Sequence, residues 1–146
     1  MAQADFYILP AADEESRYRF LGKLATRAIG AGHQLYVLTD SRQQAETISE
    51  RLWHAGPETF LPSHVSNDTT ESHAPIQLGW ETSHLPKQPD VLVNLSSHYP
   101  AETAQFKRVT EIVIQQDDIL EQTRQRYKSY QQDGIKPNMH DMRNRS

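Results

Sequence analysis

Two short apolar runs, each followed by a capping residue and an amphipathic stretch, constrain this chain more than any other feature. Ala4-Asp-Phe-Tyr-Ile-Leu9 ends at Pro10 and has the length and residue types of a strand. Asp13 stands where a carboxylate can accept from the free amides of a helix start. Leu21, Leu24 and Ala28 then recur at spacings of three and four, with Ala25 beside them, so one helix face is buried. Gly30 or Gly32 supplies the stop. Gln34-Leu-Tyr-Val-Leu-Thr39 repeats the strand, Asp40 or Ser41 the cap, and Ala45, Ile48 and Leu52 the inner face of a second helix that ends by Gly56-Pro57. Strands separated by helices pair in parallel, through right-handed crossovers.

The second half continues less regularly. Leu61 to Pro75 is polar and reads as a surface loop. Ile76-Gln-Leu-Gly-Trp80 reads as a short strand at a sheet edge, Asp90-Val-Leu-Val-Asn-Leu95 as a buried strand, and Pro100 to Phe106 as the start of a short helix. Arg108 to Ile114 is a further strand, and Asp117 caps a last helix that runs to about Gln131 and stops at Gly134. The expected organisation is one α/β domain over 1–134 and a flexible tail over 135–146. Its architecture is a three-layer fold, a mostly parallel sheet with helices on both faces.

Composition narrows the function. The chain has 146 residues, a net charge of −4 and no cysteine. Disulfides and thiolate metal sites are excluded, and a surface built to embrace nucleic acid is not expected. Charge is uneven: from Glu121 to Ser146 six Lys/Arg stand against three Asp/Glu, so an anionic partner is expected near the C-terminus. No apolar run approaches the roughly 18 residues of a membrane span and no signal-peptide pattern opens the chain, which points to a cytoplasmic protein.

The sheet invites a nucleotide, but the first strand is followed by Pro10-Ala-Ala-Asp-Glu-Glu, without the glycine that lets amides approach a phosphate. No Gly-Lys-Ser/Thr occurs. The fold is therefore expected to be Rossmann-like without a phosphate-binding loop, and no cofactor is expected. His54, His64, His73, His84 and His98 are scattered and none pairs at metal-ligand spacing, so no metal is expected. Asn94-Leu-Ser-Ser-His98 follows a strand but lacks a nucleophile elbow. Asp117-Asp118 suits a helix start, where the macrodipole favours carboxylates, better than a catalytic pair.

Two features remain. Trp53, Phe60 and Leu61 lie around the end of the second helix beside Pro57 and Pro62. They either cover the end of the core or form an apolar patch that receives another protein. Glu121-Gln-Thr-Arg-Gln-Arg-Tyr-Lys-Ser-Tyr130 interleaves cations with tyrosines. On a helix Arg124, Tyr127 and Lys128 share a face with Leu120 one turn earlier, while Thr123, Arg126 and Tyr130 fall on another. A solvated basic helix end accounts for the charges. A ring between two cations also suits a peptide C-terminus that ends in an aromatic residue, which offers a carboxylate and an apolar side chain together.

These residues resemble a known family, the chi subunit of bacterial DNA polymerase III holoenzyme, part of its clamp-loader assembly. The resemblance covers nearly the whole chain. It rests on Phe6-Tyr-Ile-Leu9, on Asp40…Gln44-Ala-Glu…Leu52-Trp53, and on Glu58-Thr-Phe60-Leu-Pro62. It continues through Asp90-Val-Leu-Val-Asn-Leu95 and Thr110-Glu-Ile-Val113 to Arg124-Gln-Arg-Tyr127-Lys128-x-Tyr130. It implies a subunit without a catalytic centre of its own, joined to the psi subunit and binding the acidic, phenylalanine-ended C-terminal tail of single-stranded-DNA-binding protein. Carried onto this chain, Arg124, Tyr127 and Lys128 form the tail pocket with Val113 in its apolar wall, and Phe60 faces psi with Trp53 at its flank. Where a family member carries a basic residue one turn before the arginine, this chain has Leu120, so the pocket is expected to hold one cation fewer.

Three functions can be told apart. An adaptor binds a partner tail at the last helix. A nucleotide-binding enzyme or sensor of Rossmann-like fold uses the mouth of the sheet. A direct nucleic-acid binder uses the basic end and takes up naked single strands at physiological salt.

Overall fold

The computed structural model describes residues 3–53, 63–65, 75–80, 90–99, 103 and 105–143. In chain order the elements are β1 (Gln3–Ile8), α1 (Glu14–Gly30), β2 (Leu35–Leu38), α2 (Arg42–Trp53), β3 (Ser63–Val65), β4 (Ile76–Gly79), β5 (Val91–Asn94), β6 (Arg108–Val113), α3 (Asp117–Gln132) and β7 (Lys136–Asp141). The strands form one seven-stranded sheet in the order β3-β4-β2-β5-β6-β1-β7, and each described pairing is parallel. The expected three-layer α/β fold is present.

Handedness places the helices. The connections through α1 and α2 run toward the β3 edge, and that through α3 runs toward β7. Right-handed crossovers in opposite directions put α1 and α2 on one face and α3 on the other. The alternation along β1 agrees: Tyr7 packs on Phe20 of α1 at 5.1 Å between ring centroids, whereas Phe6 packs on Tyr127 and Tyr130 of α3 at 5.6 and 5.5 Å. The central strands are buried along their length, as strands covered on both faces must be.

Local signals operate largely as the sequence dictates. The Asp13 carboxylate accepts from Ser16 N–H at 3.0 Å and so caps α1. Leu21 and Ala25 are buried on its inner face, as are Ala45, Ile48 and Leu52 on that of α2. Ser41 Oγ accepts from Gln44 N–H at 3.2 Å, which makes Ser41 the cap of α2. Gly32 and Gly134 have positive φ, 88° and 74°, and turn the chain after α1 and α3, where a side chain would be strained. Asp117 is not the cap of α3. Gln116 occupies that position without a side-chain bond to the helix, its amide donating to the Ala12 carbonyl at 2.7 Å, and Asp117 lies in the first turn, where the macrodipole still favours it.

Three strands differ from the sequence reading. Ser63–Val65, inside the expected loop, forms the edge strand β3 beside β4. Ile76–Gly79 is consequently an inner strand, between β3 and β2, rather than an edge. Lys136–Asp141, assigned above to the tail, pairs with β1 along six residues and closes the other edge of the sheet. An edge strand keeps one side unpaired, so it tolerates Pro137 and polar residues that would argue against a central strand. Among the described residues no helix is long and apolar enough to cross a membrane.

Each helical layer is tied to β6 by a buried arginine. On the α1 face, Arg17 Nε donates to the Ile112 carbonyl at 2.9 Å. On the α3 face, Arg126 donates to both oxygens of Glu111, at 2.9 and 2.8 Å, and the Tyr130 hydroxyl donates to the same carboxylate at 2.6 Å. The Glu111 and Arg126 side chains are 1% and 4% exposed. Burial pulls the Arg126 pKa down, but the charge and hydrogen bonds of Glu111 outweigh it and the net shift is upward. Burial first, then the Glu111 charge and hydrogen bond, push the Tyr130 phenol well above 10.0.

Two predictions follow from this cluster. Arg126→Met leaves the Glu111 carboxylate buried without its counter-charge and should lower stability by about 3–5 kcal/mol in urea unfolding; a loss under about 1 kcal/mol contradicts the pairing. Folding raises the Tyr130 pKa, so this phenol's stabilisation is complete below the unfolded value near 10 and is lost as pH rises through the folded value. Unfolding midpoints should therefore fall above about pH 10. Tyr130→Phe should be less stable at pH 7, by about 1.5–3 kcal/mol, with a shallower alkaline decline. Equal alkaline slopes in parent and variant would refute the assignment.

Candidate functional site

The register of the sheet assembles the site. Phe6 lies beside Glu111 of β6 and Met139 of β7, and Ile8 beside Val113 and Asp141. Partners in a parallel ladder share a face, so both rows face α3. One row ends in the Glu111 cluster. Beyond it, between α3 and the strands, opens a cleft of about 230 Å³. Val113, Ile8, Leu120 and Met139 make its apolar lining, the Tyr127 ring stands in it, and Arg124 and Arg143 are its cationic groups. Met139 is 53% exposed, the one large hydrophobic side chain so exposed among the described residues.

The α3 sequence resolves into two stripes. Arg126 and Tyr130 point into the protein with Ile119. Tyr127 is half-buried and tilted against Phe6, at 59° between ring planes. Arg124 is 72% exposed at the rim and among the described residues holds only an exposed pair with Glu121, 3.3 Å away. Such a pair contributes little and leaves the guanidinium free to take another anion.

Arg124, Tyr127 and Val113, named from the sequence, thus line one cleft, and Leu120 lines it with them. Lys128 does not: it is exposed on α3, outside the lining. At about 100° per residue it lies roughly opposite the face marked by Arg126 and Tyr130, whereas Tyr127 lies on that face's flank. The same rotation brings Thr123, assigned above to another face, into the lining. Phe6, Ile8, Met139 and Arg143 were not singled out from the sequence. The first two carried a legible signal, the alternation along β1. Met139 and Arg143 carried none, because the strand that holds Met139, and that Arg143 follows, was not recognised. Phe60 and the Trp53 side chain lie outside the described residues.

The other candidate regions are occupied by structural bonds. At the mouth of the sheet the Asn94 side chain ties its own turn, accepting from Ser96 N–H at 2.9 Å and donating to the His98 carbonyl at 2.9 Å. Asp40 accepts from Ser97 N–H at 2.8 Å and from its hydroxyl at 2.9 Å. Among the described residues no three His, Asp or Glu side chains are grouped to hold a metal ion. A larger cavity, about 450 Å³, separates α1 from α2, but it is charged and its Arg51 is paired with Glu15 at 2.6 Å.

Comparison with known proteins identifies a family. The family profile described as DNA polymerase III chi subunit, HolC, matches residues 1–138. The chain is 30% identical over 138 residues to the DNA polymerase III subunit chi of Pseudomonas aeruginosa, covering 92% of each chain. It is 29% identical over 131 residues to that of Haemophilus influenzae, covering 90% of this chain and 91% of the relative. It is 24% identical over 142 residues to that of Escherichia coli, covering 94% and 97%. The profile match over residues 1–138, together with these relatives, establishes that this chain belongs to the chi-subunit family of DNA polymerase III.

Proposed function

We propose that the protein is a non-catalytic accessory subunit of the clamp-loader assembly, and that it bridges the psi subunit to the C-terminal tail of single-stranded-DNA-binding protein. The observation that carries this reading is the cleft itself. It combines an apolar floor, a half-buried ring and a lightly paired guanidinium at the rim. A chain terminus that ends in phenylalanine offers the matching groups, a ring for the floor and a carboxylate for the rim. Acidic residues upstream would lie toward Lys128, outside the cleft on α3. Phe60, with Trp53 beside it, is the proposed psi-facing patch, and the cytoplasm the proposed compartment.

The energetics suit a contact that is made and broken. A charge-assisted hydrogen bond to the tail carboxylate contributes about 1.5–3 kcal/mol, and burial of a phenylalanine ring about as much again, roughly 1.5–3 kcal/mol. Ordering a disordered tail costs about 2–5 kcal/mol. The remainder is small, and salt weakens it further by screening the exposed cations. A partner that presents several tails on coated DNA makes up the difference through effective concentration.

Calorimetric titration with an acidic peptide ending in phenylalanine tests the reading. Tyr127→Ala and Arg124→Ala should each weaken binding about tenfold, equivalent to about 1.4 kcal/mol, and should leave psi binding unchanged. Phe60→Ala should do the reverse. Parent-like affinity in both cleft variants would remove the cleft from consideration. A saturable thermal shift with ATP or a dinucleotide would instead favour a nucleotide-binding protein.

A further inference from the structure

Spacing along α3 pairs Arg124 with Lys128, but the cleft pairs Arg124 with Arg143. We propose that Arg143, at the end of β7, is the second cation of this site, and that the terminal carboxylate of the bound chain lies between Arg143 and Arg124 with its last side chain against Tyr127 and Met139. The inference rests on the peptide-binding reading above and adds to it the residue that recognises the carboxylate.

Three observations support it. The first is position. β7 runs parallel to β1 in a register that sets Met139 beside Phe6 and Asp141 beside Ile8. Met142 N–H still donates to the Ile8 carbonyl at 2.8 Å, so the ladder continues past the strand. Arg143 follows in a turn, its N–H on the Asp141 carboxylate, and it lines the cleft with Arg124.

The second is orientation. Asp141 accepts from Arg143 N–H at 3.0 Å, from Nε at 2.9 Å and, through its other oxygen, from Nη2 at 2.7 Å. This holds the guanidinium in place and leaves Nη1 without a protein partner among the described residues. The hydrogen bonds from Arg143 keep the Asp141 carboxyl down at about 2, so it is ionised at any ordinary pH. A planar guanidinium held along one edge presents the other to a carboxylate, which an ammonium cannot imitate.

The third is charge. Each guanidinium already meets one carboxylate, Arg124 that of Glu121 and Arg143 that of Asp141. The charge of the rim is therefore partly balanced, and recognition depends on directed donors as well as on general attraction. A free terminal carboxylate should be distinguished sharply from its amide, and acidic side chains alone should bind poorly.

The test uses the full chain and a fluorescent acidic peptide ending in phenylalanine, prepared as the free acid and as the C-terminal amide. Anisotropy titrations compare the parent with Arg143→Ala, Arg143→Lys and Tyr127→Ala. Arg143→Ala should weaken the free acid about five- to tenfold and the amide by less than about twofold, the share of one half-exposed charge-assisted contact. Arg143→Lys should recover only part of that loss. If Arg143→Ala leaves the acid-to-amide ratio at its parental value while Tyr127→Ala weakens both peptides, Arg143 is not the carboxylate's partner, although the cleft still is the peptide site. If Tyr127→Ala weakens neither peptide, or the parent binds neither, the peptide-binding reading fails and this inference with it.

Discussion

The carboxylate of Glu111, buried on β6 and met there by Arg126 and Tyr130, is the contact on which the shape of the cleft depends. An ionised carboxylate under a helix is costly unless its partners are correctly placed. The bidentate arginine and the short phenol bond satisfy that demand only when α3 stands at one rotation about its axis. That rotation decides everything else on the helix. It turns Tyr127 onto Phe6 at the flank, holds Arg124 at the rim, and sends Lys128 outward. The cation that is not available for a partner thus positions the one that is.

The sheet supplies the complementary half. β6, β1 and β7 are in parallel register, and side chains two residues apart fall in rows beneath α3. Their apolar members make the floor of the cleft, and β7 carries a guanidinium to its far side. The mouth of the sheet, where open α/β folds usually hold ligands, is instead bound up in the turn around Asn94 and in the Asp40–Ser97 contacts. The open apolar cleft lies instead on the helix-covered flank.

Much of the fold could be read from the chain, and the exceptions have a common cause. β1, β2 and their helices were legible because apolar periodicity, caps and stops agreed: Asp13 and Ser41 cap, Leu21, Ala25, Ile48 and Leu52 are inside, and Gly32 turns the chain. The edge strands β3 and β7 were not, because an edge needs neither an apolar run nor freedom from proline, and Ser63-His-Val65 and Lys136-Pro-Asn-Met-His-Asp141 offer no alternation to find. The reading of the cleft follows from that of the sheet. With the last strand unread, Arg143 had no place, and Lys128 was grouped with Arg124 on helix spacing and on the family resemblance, although it lies outside the lining. The inward arginine was separable from the outward one only once a buried acid on β6 was known, since i, i+2 spacing assigns faces but not which face is the core.

The central claim, that the cleft between α3 and β7 receives a partner's chain terminus, is tested most directly by mapping the bound surface. Amide chemical-shift perturbations of the full-length protein, followed during titration with an acidic peptide ending in phenylalanine, report it residue by residue. The account predicts that the largest shifts fall on Val113, Thr123, Arg124, Tyr127, Met139 and Arg143. Shifts centred instead on Asp40, Asn94 and Ser97 at the sheet mouth, or on Tyr18 and Lys23 in the α1–α2 cavity, would contradict it.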